Sequence, residues 1–68
     1  MIRLKVNGAE EDCAARTLGE LLAAHGIDAR APFLAVAVNG SVLRRAEWQR
    51  APLSPGDEVE IVRPVEGG

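Results

Sequence analysis

Cysteine, net charge and long apolar runs are all scarce in this sequence. The chain contains one cysteine, Cys13, which excludes an internal disulfide and any zinc site or cluster that needs several thiolates. A chain of 68 residues is one small domain with no room for a separate catalytic domain. Packing alone must therefore stabilise it.

The lack of a charge bias and of a long apolar segment restricts the partners. The formal net charge is −2, which argues against nucleic acid as the main partner. Residues 1–6 alternate apolar and cationic side chains, and no segment approaches the length that crosses a bilayer. We therefore expect a cytoplasmic protein that binds neither membrane nor nucleic acid.

The first half of the chain has the pattern of a hairpin followed by a helix. Residues 2–6 alternate as a strand with one buried face does, and the Asn-Gly pair that follows predicts a tight turn into an edge strand over about residues 10–14. A Thr-x-x-Glu capping box then predicts a helix over about residues 18–25, which Gly26 can end.

The second half contains another Asn-Gly hairpin and a last strand. Residues 33–38 predict a third strand, which the hairpin connects to an antiparallel fourth strand over residues 41–43. A short turn or 3₁₀ segment is expected within residues 44–52. A Pro-Gly turn then leads into the last strand at residues 58–62.

This order of elements predicts an α+β domain of the β-grasp (ubiquitin-like) class, with a mixed sheet of about five strands and one helix crossing one face. The first and last strands would be parallel neighbours at the centre, which would set Arg3 and Lys5 opposite Glu58 and Glu60. The predicted core comprises Ile2, Leu4, Val6, Leu18, Leu21, Leu22, Ile27, Leu34, Val36, Val38, Leu53, Val59 and Ile61.

The tail is the first candidate functional group. We expect the β-grasp domain over residues 1–64 and a flexible diglycine tail over residues 65–68. Two glycines lack Cβ atoms, so they can lie extended in a channel too narrow for side chains and leave the terminal carboxyl open to attack. From Val65 to Gly68 the extended reach is about 13 Å, enough to enter a buried cleft while the domain stays outside.

Four motifs follow one another in the C-terminal half of the chain. They are a V-N-G hairpin at residues 38–40, an R-x-x-W segment at 45–48, a G-D-x-V-x-I-V segment at 56–62, and Gly67-Gly68. With the β-grasp order, the chain resembles the ThiS-type sulfur carriers of thiamine biosynthesis, in the MoaD/ThiS superfamily. The resemblance runs nearly from end to end.

The resemblance implies that the chain is a protein co-substrate and not an enzyme. An adenylyltransferase of the ThiF type, similar to the E1 enzymes that activate ubiquitin, would adenylate Gly68 with Mg·ATP. Sulfur that originates from a cysteine desulfurase persulfide or another source would then displace AMP and leave a thiocarboxylate. The carrier would then give sulfur to a thiazole synthase of the ThiG type. We expect no catalytic residue, bound cofactor or metal in the chain itself.

The side chains outside the tail are assigned to docking or to packing. Phe33, Ala35 and Ala37 should share the strand face opposite the core, and such an apolar strip is a candidate partner surface. Arg44 and Arg45 are most simply solvated charges, and they become docking candidates if they lie beside the tail.

The remaining distinctive side chains are Cys13, His25 and Trp48. Cys13 directly follows the anionic Glu10, Glu11 and Asp12, which do not activate a thiol, so we expect an inert, partly buried residue. His25 has no partner at catalytic or metal-ligand spacing. Trp48 is expected to cap the core.

Two alternatives stay open at this point. A MoaD-like carrier, or one of another pathway, would share the Gly-Asp motif and the diglycine. A plain ubiquitin-like interaction module would use the domain alone. An enzyme is disfavoured because the sequence lacks a set of nucleophile, base and oxyanion donors.

Overall fold

The computed structural model describes residues 1–63, so the predicted tail at residues 65–68 lies outside the described residues. The division into domain and tail therefore stays a prediction. The elements are strands β1 (Ile2–Val6) and β2 (Ala9–Cys13), helix α1 (Leu18–Ala24), strands β3 (Ala35–Val38) and β4 (Ser41–Leu43), a 3₁₀ turn (Arg45–Glu47) and strand β5 (Glu58–Val62).

One mixed sheet contains all five strands in the order β2-β1-β5-β3-β4. Strands β1 and β5 are parallel neighbours, whereas β1 pairs with β2, and β3 pairs with both β4 and β5, in antiparallel fashion. The first and last strands therefore lie side by side within the sheet, and the α+β fold of the β-grasp class is confirmed.

Both Asn-Gly turns hold the last strand as well as their own hairpins. Asn7 and Asn39 each have φ of 52°, a left-handed conformation that Asn tolerates better than most residues. The Asn7 side-chain oxygen accepts the N–H of Ile61 at 2.7 Å, and that of Asn39 accepts the N–H of Glu58 at 3.0 Å. Each asparagine therefore links its own hairpin to the backbone of β5.

Helix α1 ends where the sequence predicts, within one residue. At its start, Thr17 Oγ1 accepts the N–H of Glu20 at 3.2 Å. The second half of the expected capping box differs, because the Glu20 carboxylate accepts the N–H of Arg16 at 2.7 Å instead of that of Thr17. At its end Gly26 has φ of 71°, and the N–H of Ile27 reaches the Leu22 carbonyl at 2.9 Å, which closes a Schellman motif.

The core lies between α1 and one face of the sheet. Its members are Leu4, Val6, Cys13, Leu18, Leu21, Leu22, Leu34, Val36, Trp48, Val59 and Ile61. Four residues predicted as core lie at its margin, half-buried against it, namely Ile2, Ile27, Val38 and Leu53. Cys13 and Trp48 are buried more deeply than the sequence indicates, with 5% and 2% of their surface exposed.

Two expectations about the strands are wrong. Strand β3 begins at Ala35 and not at Phe33, because Phe33 lies in the preceding turn with φ of 61°. The expected pairing of charges between β1 and β5 also differs. Lys5 does lie opposite Glu58, but the Arg3 guanidinium bonds Glu10 at 3.0 Å and Asp12 at 3.2 Å, both on β2.

The segment after the 3₁₀ turn caps the start of α1. The first N–H groups of a helix have no partner within it. Here the N–H of Leu18 bonds the Ala51 carbonyl and that of Gly19 bonds the Trp48 carbonyl, both at 2.8 Å. This approach requires a glycine, because a Cβ at position 19 would lie 2.6 Å from Gln49 Oε1 and 3.0 Å from Gln49 Cα.

We predict that Gly19→Ala lowers the free energy of unfolding by about 1–3 kcal/mol, because the methyl group overpacks the contact with Gln49. In an open helix the same change would stabilise by about 1 kcal/mol, so the sign of the effect is the test. Urea denaturation of the variant and of Gly19→Ala/Gln49→Ala measures it. The second change should restore part of the loss, because it removes the Gln49 side chain but not its Cα. A stabilised single variant would contradict the close approach.

Candidate functional site

Strand register gathers exposed apolar side chains at the end of the sheet from which the tail departs. Ala35 pairs with Val62, the last residue of β5, and Ala37 pairs with Val42 of β4. We call these four residues together with Phe33 the open-face patch. A shallow depression of about 130 Å³ lies on it, lined by Ala35, Val36, Ala37, Val42, Glu60 and Val62.

The largest side chains of the open-face patch are mostly exposed to solvent. Phe33 is 84% exposed, Val42 77% and Val62 61%. Each is apolar and contributes little to the buried core, which lies on the other face of the sheet. Exposed apolar groups that are contiguous on a small domain are typical of protein-binding surfaces.

Arg44 and Arg45, which the sequence could not distinguish, have different surroundings in the structure. Arg44 directly follows Leu43, which pairs with Val36, so Arg44 lies level with Ala35 and Val62 at the tail end of the sheet. Whether it lies beside the tail falls outside the described residues, so its docking role stays a prediction. Its exposed side chain adds a positive charge at the rim of the open-face patch.

Arg45 is exposed, and its guanidinium also makes contacts within the domain. It donates hydrogen bonds to the carbonyl oxygens of Ala29 and Ala31, the latter at 2.8 Å. It also lies over the Trp48 ring, 4.8 Å from the ring centroid. Its role as a docking charge stays a prediction.

Trp48, Cys13 and His25 all make contacts within the domain. Trp48 caps the core as expected, and its indole N–H donates to the Leu43 carbonyl at 3.0 Å. Cys13 is buried. His25 Nε2 lies 2.9 Å from Glu11 Oε2, which links the end of α1 to the edge strand β2.

Arg3 on β1 forms short-range ion pairs with Glu10 and Asp12 on β2. The hydrogen bond that its guanidinium donates to Glu10, aided by the nearby charge of Asp12, raises the pKa of Arg3, so it stays charged at every relevant pH. Within residues 1–63, no three His, Cys, Asp or Glu side chains are grouped as metal ligands. No helix in this part of the chain is long and apolar enough to cross a membrane.

Comparison with known proteins agrees with the fold and with the motifs of the C-terminal half. The family model described as the ThiS family matches residues 4–68. The chain belongs to the ThiS family. A comparison with curated protein sequences gives no significant match.

Two solved structures of a thiamine biosynthesis protein from Geobacter metallireducens resemble this ThiS-family chain. The crystal structure, described as ThiS, is 31% identical with a TM-score of 0.78, and the match covers 98% of this chain and 100% of that one. The solution structure by NMR is 33% identical with a TM-score of 0.77, and the match covers 98% and 88% of the two chains.

The predicted site residues of this ThiS-family chain fall into three groups. Ala35 and Ala37 lie on β3, with Phe33 in the turn before it and Arg44 directly after β4. Arg45 makes contacts within the domain. Val65, Gly67 and Gly68 lie outside the described residues, so their role stays a proposal.

Sequence reasoning missed Val42 and Val62 as members of the exposed surface. Val62 did carry a signal, because it breaks the alternation of apolar and charged residues in β5 at the position where a polar side chain would face solvent. Val42 also carried a signal. A two-residue Asn-Gly turn pairs Val38 with Ser41, and therefore Ala37 with Val42, as the structure has it.

We predict that Val62→Thr leaves the free energy of unfolding unchanged within about 0.5 kcal/mol, because the side chain is exposed. Val59→Thr is the matched control in the same strand. Val59 is 1% exposed, so burying a hydroxyl there should cost about 1–3 kcal/mol. Thermal or urea denaturation of both variants measures the difference. An equal loss in both would mean that the open-face patch is covered within the domain.

Proposed function

We propose that this chain is a sulfur carrier of thiamine biosynthesis. The Gly68 carboxylate is adenylated and then converted into a thiocarboxylate, which donates its sulfur for formation of the thiazole ring. The chain acts as a protein co-substrate: it supplies the carboxylate and the docking surface, and its partners supply the catalytic groups. The observation that carries this proposal is the match to the ThiS family, which extends over residues 4–68 and so includes the diglycine.

The chemistry begins with activation of the terminal carboxylate. A carboxylate is a poor acceptor of sulfur nucleophiles because its charge is delocalised over two oxygens. An adenylyltransferase of the ThiF type overcomes this with Mg·ATP: a Gly68 oxygen attacks the α-phosphorus, pyrophosphate leaves, and a mixed anhydride with AMP forms. With hydrosulfide as the nucleophile, sulfur attacks the acyl carbon, AMP leaves, and one proton is released. The product is the thiocarboxylate.

In the cell the sulfur originates from a cysteine desulfurase persulfide or another source. A persulfide that displaces AMP forms an acyl disulfide, and a thiol then cleaves it to leave the thiocarboxylate and a new disulfide. A thiazole synthase of the ThiG type receives the sulfur from the carrier. Delivery into two different partners requires a reactive group that extends from the domain. Gly68 lies six residues after Val62, and an extended chain of that length spans at most about 22 Å. A partner bound at the end of β5 therefore has its active site within reach of Gly68.

The open-face patch is the docking surface for the activating enzyme in this proposal. Its support is positional, because Ala35 and Val62 form the last residue pair of the sheet before the tail. Apolar contact at the patch would provide affinity, and Arg44 and Glu60 at its rim would provide orientation.

The direct test is an intact-mass measurement after incubation with the ThiF-type enzyme of the same organism, Mg·ATP and hydrosulfide. A carrier gains the mass that corresponds to replacement of one oxygen by sulfur, and fragmentation places the change at Gly68. Cys13→Ser is the control that separates the terminus from the thiol, and it should be modified like the wild type. An unmodified wild-type chain in the presence of an enzyme that adenylates another carrier would support a plain interaction module instead.

We predict that changing the length of the tail abolishes modification. Deletion of Gly68, or addition of one residue after it, moves the carboxyl by about 3.5 Å, and a misplacement of about 1 Å can cost about a hundredfold in rate. Pyrophosphate release measures adenylation, and melting temperature should equal that of the wild type. Adenylation of either variant near the wild-type rate would exclude Gly68 as the reacting group.

We predict that Ala35→Glu weakens binding of the activating enzyme by about tenfold or more, because it places an unpaired charge at the centre of the open-face patch. Ala23→Glu is the matched control, since Ala23 is also exposed but lies on α1, away from the patch. Calorimetry with the carrier and the enzyme gives Kd for both. Equal affinities of the two variants would show that the activating enzyme does not bind at the open-face patch.

A further inference from the structure

Phe33 has an unusual combination of conformation and exposure. Its φ of 61° is a left-handed conformation that bulky side chains rarely adopt. Its ring is nevertheless 84% exposed, so burial of the ring does not compensate for that conformation. Left-handed non-glycine residues are held by the structure around them and are often found at binding sites.

The segment before Phe33 is held by Arg45. Within this segment, a turn closes through the bond from the N–H of Ala31 to the Asp28 carbonyl at 2.9 Å. From outside it, the guanidinium of Arg45 donates one hydrogen bond to the Ala29 carbonyl and one to the Ala31 carbonyl. The second of these carbonyls lies two residues before Phe33.

Arg45 itself contacts a core residue, Trp48. Its guanidinium lies over the ring of Trp48, which is 2% exposed and donates its indole N–H to the Leu43 carbonyl at the end of β4. A chain of contacts therefore runs from β4 through Trp48 and Arg45 to the connection between α1 and β3. Phe33 lies at the end of this chain.

We infer that Arg45 is a positioning residue that sets the Phe33 ring for contact with the activating enzyme. The inference rests on the proposed function for the identity of that partner. A planar guanidinium can donate to two carbonyl oxygens while its face lies on an aromatic ring, whereas a lysine ammonium has neither the fork nor the flat face. Arg45→Lys should therefore keep the charge and lose the positioning.

The first test uses the free protein and NMR. In the wild type, a strong intraresidue contact between the amide proton and Hα of Phe33 reports the positive φ. In Arg45→Lys and Arg45→Ala this contact should weaken, and amide exchange over residues 29–33 should quicken at least about threefold, since local opening becomes easier. Arg50→Ala, an exposed arginine in the same segment, should change neither. An unchanged Phe33 in both Arg45 variants would overturn the inference.

The second test is a double-mutant cycle on the Kd for the ThiF-type enzyme. Phe33→Ala should weaken binding by about tenfold, as loss of an aromatic anchor does, and Arg45→Lys by about threefold to tenfold. The double variant should bind no more weakly than Phe33→Ala alone, because Arg45 then has no ring to position. Losses that multiply would show that Arg45 acts independently of Phe33, and they would overturn the inference.

The two tests separate this inference from the proposed function. If the wild type fails to bind the activating enzyme, the proposed function fails for that partner, and the NMR comparison still decides whether Arg45 sets the conformation of Phe33. If the wild type binds and Arg45→Lys binds equally well, the proposed function stands and the positioning role is wrong.

Discussion

The parallel pairing of β1 with β5 is the interaction on which the rest of the structure depends. It joins the first strand to the last, so every other element lies in the chain between its two partners. Closing such a long loop costs conformational entropy that only the completed sheet and core repay. Once it forms, β5 lies between β1 and β3, and the end of β5 becomes a fixed point from which the tail departs. The position of the end of β5 therefore follows from the least local contact in the fold.

The segment between β4 and β5 has little regular structure, yet it connects three parts of the domain. Its backbone carbonyls accept the free N–H groups of Leu18 and Gly19 at the start of α1. Its indole fills the core, and the arginine above that indole holds the connection that leads to β3. In the R-x-x-W pattern, Trp48 is thus a core residue, and Arg45 bonds the connection between α1 and β3. This interpretation assigns the pattern to the packing of the domain and to the connection that leads into β3.

Local signals in the sequence were sufficient to predict the fold but not the candidate site. Asn-Gly turns, alternation and a capping threonine act over a few residues, and they predicted every strand and the helix, with limits correct to within two residues. The open-face patch also depends on the register between β3 and β5, which no local turn sets, so the pairing of Ala35 with Val62 could not be predicted. Phe33 continues an apolar run and was expected in β3, but the connection from α1 requires a turn there. The bonds from Arg45 to Ala29 and Ala31 join segments whose approach no periodic pattern indicates.

The central position of β5 also has a mechanical consequence. Hydrogen bonds between strands run across the strand direction, on one side of β5 to β1 and on the other to β3. A pull along the tail would load these bonds in shear, all at once, whereas an edge hairpin pulled from its open end would separate bond by bond. Forced unfolding is governed by the barrier to that separation. A partner could therefore draw the terminus into its active site, and later release it, without unravelling the domain to which it is attached.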